Sequence, residues 1–245
     1  MTRINFIFLM LFMAYSNAQQ PDPLLADNPF LQEKWVDSIY SVLSLDEKIG
    51  QLFIPMVFSK KDRNHFNEIR TLIEDYHVGG LIFSNGTPDK QTKWLNEFQS
   101  LSKVPLISSM DAEWGVAMRL DSVVPFPWSM TLGAIRDYEI VKKIGERMGE
   151  QEQILGIDLS FSPVADINTN PLNPIIGNRS FGEKPGQVAK KALALMEGHH
   201  QAGILTSAKH FPGHGDTTQD SHFNLPLLNS ISHKSCIRLI DLVSV

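Results

Sequence analysis

One cysteine, Cys236, stands in 245 residues, so no disulfide can close within the chain and stability must come from a hydrophobic core. A catalytic role for that lone thiol is not expected. Long basic runs are also missing, and the formal net charge is −5, so the electrostatic footprint of nucleic-acid binding is absent. Beyond the N-terminus no apolar run is long enough to cross a bilayer. No glycine-rich phosphate loop follows the first strand candidate, which removes the usual entry to a dinucleotide fold. What remains is an ordinary globular composition, 42% hydrophobic and 20% charged, at a length that suits one large domain.

The N-terminus is a segment of its own. Arg3 supplies a short positive start, Ile4 to Tyr15 is almost wholly apolar, and Ser16-Asn17-Ala18 offers small residues for cleavage. This pattern predicts a secretory signal peptide over residues 1–18, cut after Ala18, and hence a periplasmic or extracellular chain. A membrane anchor is the plain alternative, but the apolar stretch is short for a span. No cysteine follows it that could carry a lipid.

Residues 19–43 read as an N-terminal extension with a helix. Asn28-Pro29 opens it as N-cap and first helical residue, and Leu31, Trp35, Ile39 and Leu43 share one face. Ser44-Leu45-Asp46-Glu47 is a capping box. From there the chain alternates. Apolar strand candidates lie at Leu52–Phe58, Gly79–Phe83, Val104–Ser108, Ile157–Phe161 and Ile204–Ala208. Between them run amphipathic stretches marked by Phe66, Ile69, Ile73 and Tyr76, by Leu95, Phe98 and Leu101, by Ile140, Ile144 and Met148, and by Val188, Ala192, Leu195 and His199. Strands alternating with helices predict a parallel sheet, and continuous apolar runs predict that both its faces are covered.

A (β/α)8 barrel and an open doubly wound sheet both fit that alternation. Polar residues follow most strands: Asp111 and Glu113, then Asp166 and Asn168, then Lys209 and His210. A barrel collects chemistry from many strand ends around one mouth, whereas an open sheet concentrates it at one switch point, so the barrel is favoured. About six strand candidates can be counted where a barrel needs eight. The barrel therefore reads as incomplete at the C-terminus, spanning 44–230 and leaving 231–245 as an unassigned tail. Open strand edges and apolar surface make poor solubility the expectation.

The stretch Lys209 to His222, K-H-F-P-G-H-G-D-T-T-Q-D-S-H, packs proton-handling side chains among turn-formers. That mixture suits a loop that does chemistry rather than a core. Lys209, coming straight after an apolar strand, needs a polar cavity or a partner. Asp220-Ser221-His222 places a carboxylate two residues from an imidazole, where it can fix the tautomer of a general acid–base. Taken alone, the pair reads as a local Asx-type turn with an exposed histidine. Asp111 at a strand end suggests ligand binding, with a loop hydrogen bond as the alternative. Arg179 in its turn-rich loop could fork onto hydroxyls or a carboxylate, or sit in a surface ion pair. His210, His214, Asp216, Asp220 and His222 are metal-ligand types, but H-x-x-x-H pairs normally need a helix, which Pro212, Gly213 and Gly215 forbid. A metal site is not expected.

Together these motifs resemble the N-terminal barrel domain of glycoside hydrolase family 3, in its bacterial β-N-acetylglucosaminidase subgroup. K-H-F-P-G-H-G-D followed by D-S-H carries the resemblance, with S-P-V-A-D-I-N (Ser162–Asn168) and G-N-R-S-F-G (Gly177–Gly182) in support, from about Leu43 to about Leu227. The resemblance implies that Asp111, Arg179, Lys209 and His210 line the subsite of a terminal β-linked N-acetylglucosamine. It implies that His222 is the general acid/base with Asp220 as partner, and that no cofactor is used. The family mechanism is retaining: an aspartate forms a glycosyl-enzyme, and the histidine first protonates the leaving oxygen, then activates water. A histidine in place of the usual carboxylic acid has an ordinary pKa near neutrality. When neutral it would not repel phosphate, so phosphorolysis stands beside hydrolysis.

Two departures from the family pattern matter. Where the subgroup often reads D-Q-E-G-G-R-V, this chain has Asp111-Ala112-Glu113-Trp114-Gly115-Val116-Ala117-Met118-Arg119, with Trp114 in place of a glycine and the arginine displaced. The family's nucleophile follows a later strand, and Asp241, the only aspartate after Asp220, is not assigned that role. A glycan-binding fragment without a nucleophile and a metal-dependent hydrolase are the competing expectations.

Overall fold

The computed structural model describes residues 28–225. Cys236, Asp241, the signal peptide expected over residues 1–18 and the unassigned residues 231–245 lie outside these described residues. The chain begins with α1 (Pro29–Tyr40), where the Asn28 side chain accepts from the Leu31 amide and Pro29 takes the first turn. Next comes α2 (Leu45–Gly50), closed by the full capping box: Ser44 Oγ accepts from Glu47 N, and Glu47 accepts from Ser44 N.

Then the alternation sets in: β1 (Met56–Phe58), α3 (Arg63–Glu74), β2 (Gly80–Ser84), α4 (Pro88–Leu101) and β3 (Ile107–Met110). A long connection with a short helix α5 (Ser129–Ala134) leads to α6 (Tyr138–Ile154), β4 (Leu159–Ser160), α7 (Pro185–Gln201) and β5 (Leu205–Thr206). The strands are shorter than the apolar runs that announced them. Their N-terminal parts, such as Leu52–Pro55 and Val104–Leu106, enter the sheet before regular pairing starts.

All neighbouring strands are parallel, and the sheet order is β1-β2-β3-β4-β5. Each new strand is added on the same side. A doubly wound sheet would reverse direction at a switch point, so this monotonic order is that of a (β/α) barrel. The register brings Phe83 beside Met110, Met110 beside Ser160 and Ser160 beside Thr206, which aligns the C-terminal strand ends on one rim.

The core has two parts. Val57, Leu81, Phe83, Met110 and Ile157 from the strands meet Phe66, Trp94 and Phe98 from α3 and α4, where Phe66 stacks on Phe98 at 4.5 Å. Val141 and Met148 of α6 meet Val188, Ala192 and Leu195 of α7, with Ile167 and Phe181. The two helices approach closely because Gly145 and Gly198 face each other's backbones. A Cβ on Gly145 would come within 2.3 Å of Leu195 O, and one on Gly198 within 2.1 Å of Lys142 O.

Two helix faces differ from the sequence reading. In α6 the buried residues are Val141, Gly145, Met148, Gly149 and Glu152, while Ile140 is exposed. In α1 no residue is buried, and Leu31 and Trp35 lie open to solvent. Tyr76, expected on the packed face of α3, lies two residues past its end and is exposed, as are Leu52, Phe53 and Ile54 ahead of β1. Among the described residues no helix is long and apolar enough to cross a membrane.

Candidate active site

Loops from three neighbouring strands converge at the C-terminal rim. The loop after β3 brings Asp111 and Glu113, the one after β4 brings Asp166 and later Arg179, and the one after β5 brings Lys209, His210 and His214. Pairing between β4 and β5 runs on past the named strands. Lys209 N donates to Pro163 O at 3.0 Å, and Ala165 N donates to Lys209 O at 2.7 Å. This pins Lys209 next to the Asp166 segment.

Lys209 Nζ sits 2.7 Å from Asp111 Oδ1 and 2.9 Å from Glu113 Oε1. Arg179 clasps Glu113 with two bonds, Nε to Oε2 at 2.9 Å and Nη2 to Oε1 at 2.8 Å. Arg119 Nη2 donates to Asp111 Oδ2 at 2.7 Å. Buried Asp166 organises the third side: Oδ2 lies 2.6 Å from His210 Nδ1, and Oδ1 accepts from the His214 amide at 2.6 Å. An ionised carboxylate only accepts, so His210 carries its proton on Nδ1. Its Nε2 is then an acceptor, 3.4 Å from Arg179 Nη2.

Asp111, Glu113 and Arg179 are held ionised. Burial works to raise the Asp111 carboxyl, but Lys209 and then Arg119 outweigh it and leave the group below its ordinary value. Burial likewise opposes ionisation of Glu113, and Arg179 with Lys209 reverses it. Burial lowers the Arg179 guanidinium, yet Glu113 more than compensates and raises it.

The linkage sign follows from the carboxylates. A depressed folded-state value adds stability that is present above the unfolded value of about 4 and is lost as pH falls through the folded one. Melting temperature should therefore drop steeply below about pH 4, and Glu113→Gln should flatten that slope. Equal slopes for the two proteins, read from melts at stepped pH, would contradict this account.

A cavity of about 390 Å³ opens over this network. Asp111, Glu113, Arg179, Lys209 and His210 line it, and Ser221 and His222 reach it from the far end of the β5 loop. The four residues expected to bind sugar thus share one cavity, and His222 borders it. Asp220 stands behind His222, with Oδ1 2.6 Å from Nδ1 and 2.9 Å from the His222 amide. The His222 amide and then its ring donate to Asp220 and hold that carboxyl below its ordinary value. Nδ1–H therefore points at Asp220, and Nε2 is left to exchange a proton. Among the described residues no three His, Cys, Asp or Glu side chains gather around a metal position.

Glu113 and Asp166 stood out in the sequence as polar residues after strands and as members of family patterns, with no role assigned to either, yet Glu113 ties Lys209 to Arg179 and Asp166 orients His210. Arg119 and Trp114 were noted as departures from a pattern, and both line the cavity. A larger apolar cavity of about 660 Å³ lies at the opposite rim, among Phe53, Ile54 and Pro55 before β1 and Val78 before β2. Barrel chemistry gathers at the C-terminal rim, and that other cavity has no comparable polar network.

A parallel barrel whose C-terminal rim holds interlocked carboxylates, cations and histidines has the arrangement of a barrel enzyme's site. The chain belongs to glycosyl hydrolase family 3: the pattern of that family's N-terminal domain matches residues 44–242. Beta-hexosaminidase A of Pseudoalteromonas piscicida is 36% identical over 172 residues, 65% of this chain and 29% of that protein. Among solved structures, a family 3 beta-N-acetylglucosaminidase from a Paenibacillus species is 36% identical with a TM-score of 0.67, covering 76% of this chain and 36% of that one. The beta-glucoside phosphorylase BglX is 25% identical with a TM-score of 0.75, covering 89% and 37%. The chain therefore spans 29% to 37% of the length of these three proteins.

Proposed function

We propose that this chain is the sugar-binding and proton-transfer part of a retaining glycosidase that acts on terminal β-linked N-acetylglucosamine. The observation that carries the reading is the single cavity in which Asp111, Glu113, Arg179, Lys209 and His210 share a floor with His222 at the edge. Ionised Asp111 and the unprotonated Nε2 of His210 accept from sugar hydroxyls, while Lys209 and Arg179 supply donors and fix the ring. Cations and carboxylates already paired with each other cost little reorganisation when a sugar arrives. His222, with Nδ1–H held by Asp220, gives its Nε2 proton to the glycosidic oxygen as the C1–O bond breaks, then takes a proton from water in the second step. The carboxylate that would form the glycosyl-enzyme has no assigned residue among the described ones. The beta-hexosaminidase relatives support the N-acetylglucosamine substrate, with cell-wall or amino-sugar glycans as its source. Export through the 1–18 leader belongs to the same proposal.

The test pairs two measurements. Titration of this chain with N-acetylglucosamine should show saturable binding. A form extended through the segment that follows the dyad in the relatives should release the phenol from an aryl β-N-acetylglucosaminide. No binding by the chain would remove the proposal, and binding with no turnover in the extended form would reduce it to a glycan-binding role. Phosphorolysis is the second reading, favoured by the likeness to a phosphorylase. Sugar 1-phosphate formed on adding inorganic phosphate would establish it in place of hydrolysis.

A further inference from the structure

We infer that Trp114 is a specificity-determining residue: its indole forms a platform at the cavity mouth for the second pyranose ring of a β-linked disaccharide. The inference rests on the proposed sugar site and adds a leaving-group subsite to it.

Depth in the cavity carries the argument. The charged floor is buried, with the Glu113 side chain 1% exposed and those of Lys209 and Asp111 at 16% and 22%. His222, the proposed proton donor to the leaving oxygen, is at the surface with its side chain 69% exposed. A terminal sugar held by the floor therefore directs whatever is attached to its anomeric oxygen outward, toward the mouth. Trp114 borders the same cavity and is half-buried. Its neighbour Trp128 is 44% exposed. The two indoles are stacked, 4.4 Å between centroids and 7° between planes.

That stack makes the platform rigid. Trp128 backs one side of the Trp114 ring, and the chain on either side is fixed. Phe126 N donates to Trp114 O at 3.1 Å. Gly115 follows at φ +83°, and a Cβ there would meet the Phe126 ring at 2.7 Å. Trp114 is also three residues from Asp111 and next to Glu113, so the platform and the floor ride on one short loop. A pyranose ring presents an axial C–H face that is apolar, and a large flat side chain set in place before binding takes such a face at low entropic cost.

The experiment compares two ligands on the 245-residue chain by calorimetry: methyl β-N-acetylglucosaminide and the S-linked β-disaccharide of N-acetylglucosamine, which resists cleavage. The wild type should bind the disaccharide about tenfold more tightly, with an indole fluorescence shift that the methyl glycoside does not give. Trp114→Ala should bind both ligands equally while keeping methyl glycoside affinity within about twofold. Trp114→Phe should retain part of the preference. Should the alanine variant lose its circular dichroism signature, Trp114→Leu, apolar but without the flat face, carries the same comparison. A variant that keeps the tenfold preference overturns the platform alone. A wild type that binds neither ligand overturns the sugar site and the platform together. A merely structural role for Trp114 would weaken both ligands alike, and that result also counts against the inference.

Discussion

Glu113→Ala is expected to unfold the site and much of the barrel rim with it. The substitution removes the shared acceptor of Arg179 and Lys209 and leaves two cations with most of their surface covered. Breaking a buried ion pair by removing one partner costs about 3–5 kcal/mol. For a domain of this size that is a fall in melting temperature of roughly 10 °C. Glu113→Gln keeps an acceptor oxygen in place and should lose about half as much. Both variants should lose N-acetylglucosamine binding, since Lys209 and Arg179 are then free to reorient. A melt within about 2 °C of wild type for Glu113→Ala would mean that Asp111 alone holds Lys209 and that the Arg179 clasp contributes nothing.

His222→Ala is expected to do the reverse, leaving the fold intact and removing the reaction. The ring is exposed and its recorded partner is Asp220, two residues away, so stability should change by no more than about 0.5 kcal/mol. Loss of a general acid–base lowers turnover by about 10²–10⁴, measured in the extended form on an aryl β-N-acetylglucosaminide. The loss should shrink when the leaving phenol is made more acidic, because such a group departs without a donated proton. Asp220→Asn should follow the same trend with a smaller effect, since the imidazole stays but its tautomer is no longer enforced. Equal losses on poor and good leaving groups would assign His222 to binding rather than proton transfer.

How far the sequence could be read depended on which physical signal each element gives. Strands buried on both faces write continuous apolar runs, and those runs located β1 to β5 to within a few residues. The choice of barrel over doubly wound sheet came from polar residues after successive strands, and the monotonic strand order agrees with it. The stripe Val188, Ala192, Leu195 and His199 is the buried face of α7. In α6 the stripe held for Ile144 and Met148 but not for Ile140, because counting apolar side chains overlooks glycine. Its packing face is built around Gly145 and Gly149, whose missing side chains let α7 come close, while Ile140 faces outward.

In the site, the Lys209–His222 loop was legible because its composition is wrong for any other purpose. Asp111 and Arg179 stood out by position, one at a strand end and one in a turn-rich loop, took a sugar-binding role from the family resemblance, and both line the same cavity. Glu113 and Asp166 escaped assignment because each acts through a partner more than 40 residues away: Glu113 with Arg179 at a separation of 66, Asp166 with His210 at 44. Separations of that kind exist only once the strands are side by side.

The loop from Asp111 to Arg119 has a consequence for how such a site can change over generations. It carries Asp111, Glu113 and Trp114 within a few residues, while Asp220 and His222 sit on another loop about a hundred positions later in the chain. With the roles proposed above, point changes around position 114 would retune which glycan is accepted without disturbing the Asp220–His222 pair. Insertions in the same loop would shift the tryptophan and the carboxylates together, since they share one tether. Diversification of substrate range should thus proceed by single-residue replacement at the mouth, and changes in loop length should be tolerated elsewhere on the rim.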